Sequence, residues 1–258
     1  QPTLPIKLVI KNDYAILTRD FAGDSLHKRG YRPLQVKSPL NESIAAAMVL
    51  MSNWDRRSTL IDPMCGSATL LIEAAFLAAD RAPGLKRRFA FERWKDFDKS
   101  AWNDLVDEAL QRAKAGLGNI PPLIGADRHL GSVTIAEKSV ARAGLRNVIQ
   151  IIHSDIDDFV PDSKPSCVLV NPPYGERIGE GDDLTESWRA LGIFLKAHCR
   201  NATAHVLCGN PELTRNLRLK ASQRWPIQNG PISCKFLAYP LLPPREKEPN
   251  KDAHGETE

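Results

Sequence analysis

The chain has 258 residues, of which 42% are hydrophobic and 26% are charged, a balance typical of a soluble globular protein with one large domain. The formal charge of +4 allows an anionic partner without requiring one. No apolar run approaches the ~20 residues that span a bilayer and no secretory signal is visible, so we expect neither membrane insertion nor secretion. The five cysteines lack metal-binding spacing, which predicts buried free thiols in a reducing cytoplasm and no bound metal.

The N-terminal region predicts a β-hairpin, a basic loop and one helix, before any α/β repeat begins. Two β-prone segments, 6–10 and 14–18, flank an Asn-Asp pair and form the hairpin. Residues 23–32 are basic and contain one aromatic side chain. The alanine-rich pattern at 42–54 predicts an amphipathic helix with Asn41 as its N-cap.

Strands and helices then alternate along the chain, which predicts a mostly parallel sheet with helices on both faces. The predicted strands are 59–61, 123–126, 148–152, 167–170 and 205–208, followed by an antiparallel pair at 219–225 and 232–239. The predicted helices are 69–80, 100–115, 130–143 (with Gly144 as its C-cap), 184–200 and a short one at 211–217.

The stretch 60–72, LIDPMCGSATLLI, predicts a strand, a tight turn and a helix N-terminus, the first unit of a nucleotide-cofactor fold. Gly66 and Ser67 leave little side chain in the turn, so that a ligand can approach the backbone amides. Asp62 lies where a diphosphate would bind in a dinucleotide enzyme, and its charge disfavours a second anion. It suits a ligand with an ammonium or sulfonium group, and S-adenosylmethionine carries both.

Other polar residues follow later strands at the edge of the sheet where such ligands bind. We expect Asp127 to accept hydrogen bonds from the ribose hydroxyls of the cofactor and Asp155 to accept one from its adenine amino group. The alternative is that these acids cap the helices that follow them.

The segment 168–174, VLVNPPY, ends another buried strand and predicts chemistry on a planar nitrogen base. An exocyclic amine must pyramidalise to attack a methyl sulfonium, and acceptors for its two hydrogens favour that geometry. The Asn171 side chain supplies one acceptor and the Pro172 carbonyl the other. Pro173 stiffens the loop, and Tyr174 offers a face for stacking, worth about 1–3 kcal/mol per base. Catalysis would rest on positioning rather than on a strong base.

These motifs resemble those of the bacterial 23S rRNA guanine-N2 methyltransferases of the RlmL type, which are THUMP-linked members of the UPF0020 group. The resemblance rests on DPMCGS at 62–67, NPPYGER at 171–177, LHKRGYR at 26–32, PLNE at 39–42, DRAPGL at 80–85 and NGP at 229–231. It implies a Rossmann-like class I methyltransferase fold, S-adenosylmethionine as cofactor, 23S rRNA as partner and N2-methylguanosine as product. The cofactor set that it implies is Asp62, Met64, Cys65, Gly66, Ser67, Thr69, Asp127, Asp155 and Glu42, with 171–174 as the catalytic loop.

Two departures from that family affect what we expect. Ala68 stands where family members usually have glycine, and its methyl group would crowd the methionine end of the cofactor or strain the turn. The THUMP RNA-binding domain of the family is missing from the sequence. We therefore divide the chain into a linker remnant at 1–38, a methyltransferase domain at 39–242 and a disordered tail at 243–258, and we expect poor RNA affinity without the missing part.

Two basic segments are candidates for RNA contact. In the insert 81–99, the candidates are Arg87, Arg88 and Trp94, and the alternative is a flap whose aromatic side chains pack on the core. In the loop 23–32, the candidates are Arg29, Tyr31 and Arg32, and the alternative is a structural clasp over the cofactor helix.

The sequence thus favours an rRNA guanine-N2 methyltransferase. An adenine-N6 methyltransferase on DNA or RNA is the rival within the same chemistry, since the catalytic loop does not name the base. A non-catalytic module for cofactor or RNA binding is the rival of another class. A dinucleotide-dependent oxidoreductase fits least, because of Asp62 and the missing third glycine.

Overall fold

The computed structural model describes residues 5–32, 40–175 and 184–243. The predicted hairpin is present: β1 (Ile6–Lys11) and β2 (Tyr14–Arg19) pair antiparallel around a turn at Asn12 and Asp13, which both have positive φ. Asn and Asp tolerate this left-handed conformation better than most side chains do. Every residue of both strands is exposed, and the pair forms a sheet of its own.

The main sheet contains seven strands within the described ranges. They are β3 (Leu60–Asp62), β4 (Leu123–Asp127), β5 (Ile149–His153), β6 (Cys167–Val170), β7 (Thr203–Cys208), β8 (Gln223–Asn229) and β9 (Ile232–Pro240). Their order is β5-β4-β3-β6-β7-β9-β8, with β3 to β7 parallel and β9 antiparallel to both of its neighbours. The strand order reverses between β3 and β6, which opens a ligand crevice at their carboxyl ends.

Helices cover both faces of this sheet, as predicted. They are α1 (Glu42–Met51), α2 (Thr69–Ala78), α4 (Leu130–Ala143) and α5 (Leu184–His198). A further helix, α3 (Lys99–Gly116), is mostly exposed, with Ala113 as its buried residue. Consecutive strand residues point to opposite faces, so Leu60 joins the core cluster under α1, α2 and α4, while Ile61 joins the cluster under α5. Both side chains are fully buried, and each contributes about 1.5–3 kcal/mol to the stability of the fold.

The helix boundaries follow the local signals of the sequence. The Asn41 side chain accepts hydrogen bonds from the amides of Ser43 and Ile44, so the predicted N-cap of α1 is confirmed. The helix ends at Met51, three residues before the predicted end, because Asn53 takes a positive φ. Gly144 closes α4 in the left-handed conformation, as predicted.

The first strand of the terminal pair was predicted wrongly at 219–225, since β8 begins and ends four residues later. Arg218 ends a 3-10 helix (Pro211–Leu217) with a positive φ, which delays the start of the strand. Pro226 lies inside β8, where proline usually ends a strand. It is tolerated because β8 is an edge strand, and β9 is the one strand that pairs with it within the described ranges.

Two predicted boundaries fall outside the described residues. The division between 1–38 and 39–242 lies within 33–39, and the predicted disordered tail lies almost wholly within 244–258. Residues Glu176 and Arg177 of the NPPYGER motif lie outside as well. These expectations stay predictions.

Candidate functional site

Four polar residues follow neighbouring parallel strands along one edge of the sheet. Asp62 and Asp127 are the last residues of β3 and β4, Asn171 comes directly after β6, and Asp155 lies two residues beyond β5. Because these strands are adjacent in the order β5-β4-β3-β6, the four residues line the crevice where the order reverses. The structure thus brings together the residues that the sequence predicts, although their roles remain predictions.

Asp62 is a buried carboxylate with 1% of its surface exposed. Its Oδ1 accepts a hydrogen bond from the Met64 amide at 3.2 Å, and no cationic side chain pairs with it within the described part of the chain. Burial raises its pKa well above the usual value, and the nearby Asp127 charge adds to the shift. A carboxylate held in this way favours a ligand that brings a positive charge.

Backbone contacts hold the turn after β3 against β4. The Cys65 amide donates to the Ala126 carbonyl at 2.9 Å, and the Gly66 amide donates to Asp127 Oδ2 at 2.9 Å. Gly66 has φ +53°, a conformation that glycine adopts without steric cost. The Gly66 amide is therefore engaged by Asp127, which differs from the expectation that it faces a ligand. Burial is the largest of the effects that raise the pKa of Cys65, so the residue stays a neutral thiol.

Ala68, the residue that departs from the resembled family, takes φ +60° and precedes the first residue of α2. The left-handed conformation costs a residue with a Cβ about 1–2 kcal/mol relative to glycine. The strain expected from the sequence is thus visible at this position. Its methyl group is fully buried and belongs to the core cluster under α1 and α2.

Asp127 and Asp155 make local turn bonds and not the helix caps that the alternative interpretation predicts, since His129 is the N-cap of α4 and a turn at 156–158 follows Asp155. Asp127 Oδ1 accepts from the His129 amide at 2.9 Å, and Asp155 Oδ1 accepts from the Asp157 amide at 3.4 Å. Each carboxylate has about four acceptor positions, so these bonds leave room for ligand hydroxyl or amino groups. The helix-cap alternative is therefore wrong for both residues, and their local turn bonds are compatible with ligand binding.

The predicted catalytic loop begins directly after β6, and its first residue, Asn171, carries the expected hydrogen-bond acceptor. Asn171 Oδ1 is buried and has no hydrogen-bond partner among the described residues. A buried acceptor without a partner costs about 1–3 kcal/mol, a cost commonly retained where a substrate supplies the missing donor. The following Pro172 is buried, while Pro173 and Tyr174 are half-buried.

Two side chains that sequence analysis missed hold this loop. Trp188 of α5 is fully buried, and its indole Nε1 donates to the Pro173 carbonyl at 2.7 Å. Asn229, at the end of β8, donates through Nδ2 to the Tyr174 hydroxyl at 3.0 Å. The Asn-Gly pair at 229–230 predicted the turn, but no local signal connected either residue to the loop.

The basic loop before α1 forms the predicted clasp over the cofactor helix. Glu73 of α2 is buried and receives the Tyr31 hydroxyl at 2.9 Å and two nitrogens of Arg29 at 3.3 Å each. Burial raises the pKa of Glu73, while the charge of Arg29 opposes that shift. The Tyr31 ring also packs edge-on against Phe76 at 5.9 Å.

Arg32 joins the starts of the two helices that flank the turn. It donates to the Thr69 hydroxyl of α2 at 3.0 Å and to the Leu40 carbonyl before α1 at 2.6 Å. The Thr69 hydroxyl also meets Ser67 Oγ at 3.0 Å. Glu42 of α1 is buried 3.5 Å from Arg32, yet its Oε2 has no hydrogen-bond partner among the described residues. Glu42 is therefore a second buried carboxylate beside the turn.

These contacts correct the RNA prediction for the loop. The Tyr31 side chain is 2% exposed and offers no face to a base. The side chains of Arg29 and Arg32 are 10% and 16% exposed, and they are bound to groups of the protein. The clasp alternative accounts for all three residues.

Packing also explains most of the insert 81–99. Trp94 lies between the Arg19 guanidinium, 3.2 Å from its ring centre, and the Phe21 ring at 4.6 Å. Arg87 donates to the carbonyls of Asp24 and Ser25. The remaining aromatic contacts join Phe89, Phe91, Phe97 and Trp102. Trp94 and Arg87 therefore pack within the protein, as the flap alternative predicts. The aromatic rings pack on the hairpin base, on α3 and on one another, whereas that alternative placed them on the core. RNA contact by the exposed Arg88 stays a prediction.

Neither a metal site nor a membrane-spanning helix is present within the described ranges. No group of three His, Cys, Asp or Glu side chains there is arranged to hold a metal ion. None of the helices described is both long and apolar enough to cross a membrane. All five cysteines are buried free thiols, as predicted.

The sheet order and the polar strand ends define a Rossmann-like α/β domain. The chain belongs to the UPF0020 family, described as the RMKL-like methyltransferase domain, which it matches over residues 29–238. The ribosomal RNA large subunit methyltransferase K/L of Methylococcus capsulatus is 40% identical over 250 residues, which cover 95% of this chain and 34% of that protein. The chain thus spans about a third of the length of such relatives.

Solved structures agree with this assignment. A putative methyltransferase complexed with SAH superposes with a TM-score of 0.85 and 28% identity, covering 94% of this chain and 63% of that one. A predicted N6-adenine-specific DNA methylase from Listeria monocytogenes superposes with a TM-score of 0.81 and 31% identity, covering 91% of this chain and 60% of that one. The predicted fold class is confirmed by these likenesses.

Proposed function

We propose that this domain transfers a methyl group from S-adenosylmethionine to the exocyclic N2 amine of a guanosine in 23S rRNA. The observation that carries the proposal is the buried, unpartnered Oδ1 of Asn171 at the crevice that also holds the buried carboxylate of Asp62. The first suits an amine donor and the second suits a cationic cofactor.

The residues around the turn fit S-adenosylmethionine, which supplies an electrophilic methyl group on a sulfonium. Asp62 and Glu42 present buried carboxylate oxygens to its positively charged end. Asp127 has acceptor positions left for the ribose hydroxyls, and Asp155 has one for the adenine amino group. The rest of the proposed cofactor set lies in the turn after β3 and at the start of α2: Met64, Cys65, Gly66, Ser67 and Thr69.

The catalytic loop acts by positioning the amine. Asn171 Oδ1 accepts one amine hydrogen and the Pro172 carbonyl accepts the other, which draws the nitrogen lone pair out of conjugation with the ring. The neighbouring Pro173 carbonyl is already bonded to Trp188, which fixes the peptide that follows. Tyr174 provides the stacking surface. Such an arrangement lowers the barrier through hydrogen bonds that improve as the nitrogen pyramidalises, and the proton leaves readily after transfer.

The RNA substrate is supported by the names of the relatives, which methylate large-subunit rRNA. Because this chain spans about a third of their length, we place most of the RNA affinity in another part of the full-length protein, as a THUMP domain would supply. Ribosomal RNA as substrate implies action in the cytoplasm.

Adenine-N6 methylation is the second candidate, because the Listeria monocytogenes relative bears that name and because Asn171 would receive an adenine amine equally well. The non-catalytic alternative rested on Ala68 and on the THUMP domain expected to be missing. The methyl group of Ala68 packs in the core cluster under α1 and α2, and the methyl-transfer assay below separates this alternative from the two enzymes.

Mass spectrometry of nucleosides decides between these candidates. Ribosomal RNA from a strain deleted for the full-length protein is compared before and after incubation with that protein and S-adenosylmethionine. We expect N2-methylguanosine to rise with the wild type but not with Asn171→Ala, while calorimetry gives both proteins similar cofactor affinity. Asn103→Ala, on the exposed face of α3, is the matched control. A rise in N6-methyladenosine instead establishes adenine-N6 methylation of RNA, and no change in either nucleoside refutes methylation of rRNA at either position.

A further inference from the structure

The turn between β8 and β9 reaches the catalytic loop from across the sheet. β9 runs antiparallel to β7, and its first residues extend past the carboxyl end of β7, where Cys208 pairs with Lys235. The turn therefore lies at the same edge of the sheet as Asn171. From there Asn229 donates through Nδ2 to the hydroxyl of Tyr174, 55 residues earlier in the chain, at 3.0 Å.

A second contact holds the ring of Tyr174 itself. Gly209 is the first residue after β7, and a Cβ at that position would lie 2.6 Å from Cε2 of Tyr174 and 3.1 Å from Cγ2 of Ile232. Carbon atoms in contact are separated by about 3.5–4.0 Å, so any side chain at Gly209 would displace the ring. The glycine thus gives the edge of the tyrosine ring a backbone surface to pack against.

The hydroxyl bond is stable across the physiological pH range. Burial raises the pKa of Tyr174 to about 12, so its hydroxyl stays protonated and neutral. With one edge against Gly209 and its hydroxyl bound by Asn229, the ring is fixed at two points.

We infer that Asn229 and Gly209 are positioning residues that set the plane of the Tyr174 ring for stacking of the target base. This inference rests on the proposed function and assigns a role to the β8–β9 turn and to the end of β7. Neither residue touches the reacting amine. A stacked base lies parallel to the ring beneath it, so a tilt of the ring tilts the base and moves its amine away from Asn171. A displacement of ~1 Å costs on the order of 100-fold in rate.

A double-mutant cycle tests the link in the full-length protein. We expect Asn229→Ala to lower kcat/KM about ten-fold, as the loss of one neutral hydrogen bond predicts, with cofactor affinity unchanged. Tyr174→Phe keeps the ring and removes the hydroxyl, so it should cost a similar factor. The double variant should be no worse than Tyr174→Phe alone, because Asn229 acts through that hydroxyl. Gly209→Ala should cost more than either. Gln223→Ala, exposed at the far end of β8, is the control.

Stacking is measured separately from methyl transfer with 2-aminopurine ribonucleoside, whose fluorescence is quenched when the base stacks on an aromatic ring. We expect quenching by the wild type, less by Asn229→Ala and Gly209→Ala, and least by Tyr174→Ala. Equal quenching by wild type and Asn229→Ala overturns the inference. Additive losses in the cycle, or a loss that parallels a fall in cofactor affinity, also overturn it. If the wild type quenches but methylates neither purine, the proposed function fails while the positioning role is retained.

Discussion

Replacing Tyr31 by Phe tests whether the basic loop is a clasp. The substitution removes one hydroxyl and keeps the ring that packs on Phe76. That hydroxyl lies 2.9 Å from Oε1 of Glu73, and both residues are almost fully buried. The perturbation is therefore confined to a single charge-assisted hydrogen bond.

The expected magnitude follows from the partners that remain. A hydrogen bond to a charged group contributes about 1.5–3 kcal/mol. Glu73 keeps its two bonds to Arg29, so its carboxylate is not left unpaired, and the larger penalty of a lone buried charge does not apply. We expect the unfolding free energy to fall by about 2 kcal/mol, which corresponds to a drop in Tm of roughly 4–8 °C for a chain of this size.

Urea and thermal unfolding of Tyr31→Phe, followed by circular dichroism, measure this loss. The matched control is Tyr14→Phe on the hairpin, where the side chain is 77% exposed and the hydroxyl loss should change the free energy by less than ~0.5 kcal/mol. If both variants unfold alike and Tyr31→Phe instead weakens RNA binding, Tyr31 is a nucleic-acid contact and the clasp interpretation is refuted.

Three further substitutions probe the core and the turn. Burial lowers the pKa of His205 to about 4, below the 6.5 of an exposed histidine. As the pH falls, the unfolded state therefore takes up the proton before the folded state does. The unfolding free energy should fall by roughly 3 kcal/mol between pH 6.5 and 4. His205→Gln should flatten that slope in unfolding curves recorded across this range, and an unchanged slope contradicts the assignment. Ala68→Gly should lower the unfolding free energy, measured in urea, by at least ~1 kcal/mol less than Ala74→Gly does, because it relieves a positive φ. Both residues are fully buried, so equal losses would show that the strain is absent. Asp62→Asn should raise the dissociation constant for S-adenosylmethionine in calorimetry at least ~10-fold without lowering stability, since it removes a buried charge; unchanged affinity would remove Asp62 from the cofactor site.

The parts of the fold that were predictable have causes within a few residues. Asn41 was identified as a cap because its side chain bonds amides two and three residues ahead. The polar strand ends were predicted to meet because parallel strands place their carboxyl ends at one edge. The bounds of β8 were mispredicted, and the strand continues through Pro226 because it lies at the edge of the sheet, which local sequence does not reveal.

The missed parts of the site depend on contacts between distant segments. Trp188 was predictable as a buried residue of an apolar helix, but its bond to Pro173 depends on how α5 packs beneath the catalytic loop. Likewise, the composition of the loop 23–32 suits a clasp and an RNA contact equally well. Only the position of Glu73, buried on α2, distinguishes them.

The clasp also sets a limit on where an excised, independently folding piece of this protein can begin. A fragment starting at residue 39, the predicted start of the methyltransferase domain, would lack Arg29, Tyr31 and Arg32. Glu73 would then lose its ion pair with Arg29 and its hydrogen bond from Tyr31, while α2 still keeps it buried. A buried carboxylate without a partner lowers the unfolding free energy by ~3–5 kcal/mol. Because domains are marginally stable by about 5–15 kcal/mol, trimming at that point would consume a large share of the total. The shortest self-sufficient piece therefore starts upstream of residue 29, inside what the sequence alone assigned to a linker.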